Sequence, residues 1–337
     1  QKRRRPRADS APRRTPFMPA QSPNLRGALC ALLAFAIYST HDVVVKVLGA
    51  HYSPVQIIFF ATLLGFPLVT LMLMRDRTDG NLRPRHPWWT ALRTLATVVT
   101  GVSAFYAFTV LPLAQTYAIL FAAPLLITVM AIPILGERVG LWRGTAVMAG
   151  LIGVLIVLRP GAAPLGLGHV AALTAAVASS LASVIVRKIG RDERSAVLVL
   201  YPMVANFLVM GTALPFVYRP MPLEHLAMLM VIAAFAFVAL LLVIAAYRSA
   251  QAVVVAPMQY SQMIWAAVFG ALVFDETPDR WTLIGAAVII ASGIAIVLRE
   301  GSGRVATNRP VLDSRSRAET GLMPRISLVL RALDRRA

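Results

Sequence analysis

Residues 106–161, YAFTVLPLAQTYAILFAAPLLITVMAIPILGERVGLWRGTAVMAGLIGVLIVLRPG, are two long apolar runs joined by a short charged turn. The stretch returns, altered, at 245–301. Sliding by 139 places Glu137 on Glu276 and Trp142 on Trp281. One extra residue in the second copy then brings Gly153 onto Gly293, Val157-Leu158-Arg159 onto Val297-Leu298-Arg299, and Gly161 onto Gly301. The opening runs match more weakly, Lys46 with Arg187 and Gly49 with Gly190 at a shift of 141. A period near 140 in a chain of 337 residues means two halves of like design.

The chain is 58% hydrophobic and 14% charged, with a mean hydropathy of +0.71. A soluble domain cannot hide that much apolar surface, whereas lipid can. At about 20 apolar residues per crossing, the runs predict spans at 27–49, 55–74, 88–111, 113–134, 142–158, 167–187, 195–217, 226–247, 252–274 and 281–298. The expected fold is therefore an all-α integral membrane protein of ten transmembrane helices, arranged as two inverted five-helix repeats. The domain organisation that follows is a disordered basic cytoplasmic tail at 1–26, a first repeat at 27–161, a second at 162–301 and a cytoplasmic tail at 302–337. The first apolar run is too long for the core of a signal peptide. Within the C-terminal tail, Leu322–Leu333 reads either as a helix lying on the membrane surface or as unstructured chain.

The formal net charge of +18 sits in tails and turns rather than in a basic groove with interleaved aromatics, so nucleic acid is not the expected partner. Its distribution orients the chain. Twenty-eight Lys and Arg fall on one side of the expected spans and three (Arg159, Arg219, Arg280) on the other, with Lys46 and Arg93 inside spans. Positive residues stay on the cytoplasmic side, so both tails are expected in the cytoplasm and the protein in the cell inner membrane. Five spans per half is an odd number, so the second half enters upside down. The equivalent turns agree: 135–143 carries Arg138 and Arg143, whereas 274–280 carries Asp275, Glu276 and Asp279. Inverted repeats of this kind place a substrate site near the midplane and open it to either side by rocking.

Ala122-Ala123-Pro124, Gly136-Glu137-Arg138 and Val157-Leu158-Arg159-Pro160-Gly161, with Tyr260-Ser261-Gln262 and Asp275-Glu276 in the second copy, resemble the EamA domain of the drug/metabolite transporter superfamily. The resemblance covers roughly 27–301. It implies a central cavity surrounded by spans 1–4 and 6–9, with spans 5 and 10 set aside as scaffold. It also implies transport of a small organic solute. Met263 stands where the first copy has Pro124, so the usual proline break is expected to be missing from span 9.

Charges within a span cost roughly 2.5–3.5 kcal/mol each on insertion scales and mark function by default. Span 1 contains His41, Asp42 and Lys46. Asp42 and Lys46, four apart, share a helix face. Two readings stand for Asp42: a site for a proton or a cationic group, or a self-satisfied pair with Lys46 reaching for the surface. His41 points about 100° from Asp42 and is a candidate proton relay. Arg93, inside span 3, either holds an anionic substrate group or reaches for the headgroups or a neighbouring helix. Tyr106 in the first half and Gln259, Tyr260 and Gln262 in the second are candidate cavity residues, the alternative being hydrogen bonds between helices. Gln115 and Tyr117 lie close to the turn at Leu111-Pro112 and are expected nearer the surface.

No Walker loop, HExxH, CxxC or GxSxG occurs, and Cys30 stands alone, so no catalytic residue, metal site or cofactor is expected. The reading is a secondary transporter of a small metabolite. The alternative is proton-coupled efflux of cationic drugs at Asp42; a lipid-substrate enzyme or a non-transporting scaffold fits less well.

Overall fold

The computed structural model describes residues 23–74, 82–137, 139–161, 165–190, 192–250 and 252–301. Most of the expected basic arm, the C-terminal tail and Leu322–Leu333 lie outside them. Among the described residues every regular element is helical, as lipid requires of a chain that must satisfy each backbone N–H and C=O internally. The helices are α1 (Pro23–Gly49), α2 (Pro54–Met74), α3 (Pro87–Val110), α4 (Leu113–Leu120), α5 (Ala123–Leu135), α6 (Leu141–Leu158), α7 (Leu167–Ile189), α8 (Ser195–Val217), α9 (Leu223–Ser249), α10 (Ala252–Val255), α11 (Ser261–Phe274) and α12 (Arg280–Gly301). α1 begins inside the stretch read as tail. Among the described residues, nine stretches are long and apolar enough to cross a membrane, Leu113–Leu135 counting as one.

The tenth, 252–274, is not one helix. It runs as α10, a 3-10 segment at Ala256–Tyr260 and α11, so the expectation of an unbroken span 9 is wrong. Pro257 sits at the start of the 3-10 segment. It has no N–H to continue the ladder from Val253, and it does in span 9 what Pro124 does at the start of α5. Spans 4 and 9 are thus both interrupted, and α5 and α11 restart at Ala123 and Ser261, nearly the same place in the repeat.

The turns after these two spans also coincide. α5 ends on Gly136 at φ 71° and α11 on Asp275 at φ 54°. The N–H of Glu137 reaches the carbonyl of Ala131, and that of Glu276 the carbonyl of Gly270. This is a left-handed helix stop closed by a 6→1 bond. It leaves both glutamates just beyond their helices, aimed back at neighbours.

α1 packs on α9, α3 on α7, α2 on α8 and α6 on α12. The α6–α12 contact is close because two glycines face each other. A Cβ on Gly153 would stand 2.9 Å from the Gly285 carbonyl oxygen, and one on Gly285 would stand 2.6 Å from that of Gly153. Ser292 Oγ donates across the same seam to the Ala146 carbonyl. Small residues that let backbones approach drive helix association in lipid, where the hydrophobic effect is absent.

Candidate functional site

A small cavity of about 50 Å³ lies between α1, α2, α3, α8 and α9. His41, Thr62, Gly101, Phe105 and Asn206 line it together with Ile58, Ala61, Met203, Ile232, Ala233 and Ala236. Of the residues singled out from sequence, the lining contains His41 alone. Asn206, the lone amide of the apolar run 195–217, was visible as an intramembrane polar residue and was overlooked. It is buried, and its Oδ1 has no hydrogen-bond partner among the described residues.

Behind His41 runs a buried polar chain. His41 Nδ1 stands 2.7 Å from Asp42 Oδ1. The Tyr117 hydroxyl donates to Asp42 Oδ2 and accepts from Gln262 Nε2 at 3.3 Å. Helical projection separates His41 and Asp42, but the short imidazole-to-carboxylate reach closes the gap. Tyr117, read from sequence as near the surface, is 1% exposed and faces the carboxylate.

Lys46 is not paired with Asp42. Its ammonium lies 2.7 Å from Glu276 Oε1 and donates to the Leu111 carbonyl; Glu276 Oε2 accepts from the N–H of Leu113 at 3.1 Å. A similar device, divided between two basic residues, occurs at the equivalent turn of the first half, where Arg187 pairs with Glu137 and Lys188 donates to the Ile134 carbonyl. These are the residues that sliding the sequence had aligned, Lys46 with Arg187 and Glu276 with Glu137.

Arg93 is 5% exposed and donates to the Leu198 carbonyl of α8, so it ties α3 to α8 rather than reaching for headgroups. Tyr106 is half-buried and outside the lining. Gln259 and Tyr260 belong to the 3-10 segment. Tyr260 packs edge-on to Phe121, its counterpart at a shift of 139, with ring centres 5.3 Å apart. Its hydroxyl fills the space beside Gly293, where a Cβ would stand 1.7 Å away. Gln262 is fully buried and bonds Tyr117 as above.

Ties close both ends beyond the cavity. At the charge-poor end, Gln56 donates to the Arg219 carbonyl at 2.7 Å and accepts from the Arg219 N–H at 2.9 Å. The Tyr52 hydroxyl and His225 Nδ1 are 2.7 Å apart, and the His51 and His225 rings stack. At the basic end, Glu193 accepts from the His86 N–H, and His86 Nε2 stands 3.6 Å from Asp192 Oδ2. His86 and His225 are related by 139 residues, and His51-Tyr52 and Asp192-Glu193 by 141. Extending the repeat alignment into the loops would have found them. Outside the spans, Arg159 pairs with Asp279. Burial pushes the Asp279 carboxyl up, but bonds from Thr282 and the Arg159 guanidinium hold it below the usual carboxylate range.

Residues 25–159 and again 166–299 match the EamA-like transporter family. The chain is 25% identical over 277 residues to an S-adenosylmethionine uptake transporter of Rickettsia prowazekii, covering 82% of this chain and 94% of that one. It is 26% identical to the pseudopaline exporter CntI of Pseudomonas aeruginosa, covering 80% and 95%. It is 28% identical to a riboflavin transporter of Brucella anthropi, covering 74% and 89%. A solved crystal structure superposes with a TM-score of 0.51 at 18% identity, over 83% of this chain and 98% of that one, a likeness of fold alone.

Proposed function

The chain belongs to the EamA-like transporter family, and from that premise we propose that it is a secondary transporter carrying a small organic metabolite across the inner membrane by alternating access. The observation that carries the reading is a central cavity bounded by helices of both halves, with matched ties at its two ends. Releasing one set of ties or the other would open the cavity to one side. Relatives named for uptake and for export align over nearly the same length, as expected when direction is set by gradients rather than by fold. All three named solutes are small organic molecules, which supports transport rather than catalysis here.

The two halves are inverted repeats, 27–161 and 162–301. The packing supports this: exchanging equivalent spans turns the α1–α9 contact into α7–α3 and maps α2–α8 and α6–α12 onto themselves. The charge-poor end faces outward and both tails face the cytoplasm, on the strength of the 28-to-3 division of Lys and Arg. Substrate binds at the lining that includes His41 and Asn206. Asp42, Lys46, Arg93, Tyr106, Gln259, Tyr260 and Gln262 act from behind it, as supports and hinge-side contacts. Proton coupling runs through Asp42 and His41, the ionisable pair beside the cavity.

The test is uptake and efflux by proteoliposomes with a solute panel including S-adenosylmethionine and riboflavin, with and without a pH gradient. Movement of at least one solute above protein-free vesicles is expected, with Asp42→Asn uncoupling it from the gradient. If no solute moves under any gradient, the transport reading fails.

A further inference from the structure

Taking from the transport reading only that the basic end opens, we propose that Pro202 is the hinge on which it opens, and that Arg93 is the latch that holds it shut by bonding the backbone carbonyl the proline leaves free. α8 runs from Ser195 to Val217 with Pro202 inside it. In an α-helix the N–H of residue 202 would bond the carbonyl of Leu198. Proline has no N–H, and its ring presses on that same carbonyl. The Leu198 carbonyl thus lacks its ladder bond inside a membrane span, where a neighbouring helix must supply what water cannot. The group that arrives is the Arg93 guanidinium, from the second turn of α3.

A buried cation needs a reason, and the carbonyl is the one present. Arg93 is 5% exposed. Among the described residues no carboxylate pairs with it, and its Nε has no hydrogen-bond partner. The repeat points the same way. Sliding by 139 to 141 carries Arg93 to 232–234 in α9 and Pro202 to 61–63 in α2. Those positions hold Ile232-Ala233-Ala234 and Ala61-Thr62-Leu63, so the equivalent place in the repeat lacks the cation and the proline together.

The bend has a direction. Pro202 is buried and shares a helix face with Asn206, four residues on; Asn206 and Met203 line the cavity. The proline ring forces the turns apart on that face, so α8 bends away from the cavity there. The part that swings is 195–201 with the loop before it. In the closed form that part is fastened to α3 and its approach at two points, Glu193 to the His86 N–H and Leu198 to Arg93. Releasing both lets the segment turn outward while Met203 and Asn206 stay in the cavity wall. Opening wets the Leu198 carbonyl and the guanidinium alike, so the bond between them favours the closed form.

The test is a mutant cycle read by access to the cavity wall. The full chain carries Cys30→Ser and Ala61→Cys, the latter in the lining, and sits in sealed vesicles of known orientation. An impermeant maleimide is applied from the basic face. Arg93→Met removes a hydrogen bond from a charged donor, so labelling should quicken by about ten- to 150-fold, with no gain from the opposite face. Arg93→Lys keeps a donor and should restore most of the slow rate. Pro202→Ala returns an N–H that claims the Leu198 carbonyl, so in that background Arg93→Met should change the rate less than about twofold. An Arg93→Met effect of equal size in both backgrounds, or an Arg93→Lys variant labelled as fast as Arg93→Met, overturns the latch. Should Arg93→Met fail to fold, adding Pro202→Ala is expected to restore folding, and a double variant that also fails overturns the proposal. Pro202→Ala alone should slow movement of a transported solute severalfold; an unchanged rate overturns the hinge. If the parent chain moves no solute, the transport reading fails while the labelling cycle still decides the latch.

Discussion

Gln56→Leu tests whether the tie at the charge-poor end is a gate. The Gln56 amide is fully buried and bonds both the carbonyl and the N–H of Arg219. It therefore fixes the α1–α2 turn to the α8–α9 turn as one strand of a ladder would. Each bond contributes about 0.5–1.5 kcal/mol net, so losing two removes about 1–3 kcal/mol from the closed form. On opening, water satisfies the same groups, so the open form loses little. The open population should rise about five- to 150-fold. Leucine keeps the volume, so packing stays filled.

Cys30 is the chain's one cysteine, so a C30S background carrying Ala61→Cys reports access to the cavity wall. In sealed vesicles of known orientation, an impermeant maleimide applied from the outer face should label that cysteine faster in the Gln56→Leu variant, by a factor in the stated range. Applied from the cytoplasmic face, it should show no gain. Glu193→Ala, which removes the acceptor of the His86 N–H, should show the opposite asymmetry. An unchanged outer rate, or a gain from the wrong face, would refute the assignment of these loops as alternating gates.

Three further outcomes follow from the same structure. Gly153→Val puts a Cβ 2.8 Å from Ile289 Cγ1 and 2.9 Å from the Gly285 carbonyl oxygen, so overpacking of about 1–3 kcal/mol should lower the unfolding midpoint in detergent. Gly144→Ala on the same helix has nothing within 4 Å of its Cβ and should not. Lys46→Gln strands the Glu276 carboxylate. Full burial would make that worth about 3–5 kcal/mol, but Glu276 is 24% exposed, so about 1–3 kcal/mol is expected, and Lys46→Gln/Glu276→Gln should cost less than the sum of the two single changes. Asp279 caps α12 by accepting from the Thr282 N–H at 2.9 Å, so Asp279→Ala should cost about 1 kcal/mol at neutral pH. Its carboxyl titrates lower when folded, so its stabilisation is complete above the ordinary value of about 3.9 and fades below it. The gap between the wild type and the variant in thermal midpoint should therefore narrow as pH falls through that range.

The helices were legible because lipid makes a simple demand: an apolar run of sufficient length has one outcome. The repeat was legible for residues that perform the same local task in each half, such as Glu137 and Glu276 beyond their left-handed stops. Partnerships across the fold were not. Lys46 lies one turn from Asp42, yet it bonds a glutamate 230 positions away, because a long side chain near a helix end reaches whatever the neighbouring turn presents. Pro257 was passed over because Met263 occupied the aligned position, although a proline six residues earlier interrupts the same ladder. Asn206 carried a signal, a lone amide in lipid, that charge-based scanning does not weigh.

Most of the polar ties divide broken spans 4 and 9 between two different neighbours, although Gln115 of α4 also stands 3.1 Å from His169 of α7. On the charge-poor side of the breaks, α4 and α11 are bound to α1: Tyr117 through Asp42, Gln262 through Tyr117, and Leu111, Leu113 and Glu276 through Lys46. On the basic side, α5 is bound to α7: Ala123 through Ser180, Ile134 through Lys188, and Glu137 through Arg187. Continuous helices would force these two groups to move as one body, since an unbroken ladder resists bending. Interrupted at Phe121-Ala122 and at Ala256–Tyr260, they need not. The aromatic contact between Phe121 and Tyr260 sits where the breaks meet, so it can act as a bearing while the hydrogen bonds on either side stay intact. Asp42 then belongs to one moving body, and Asn206, across the cavity on α8, is not tied to it by any of these bonds.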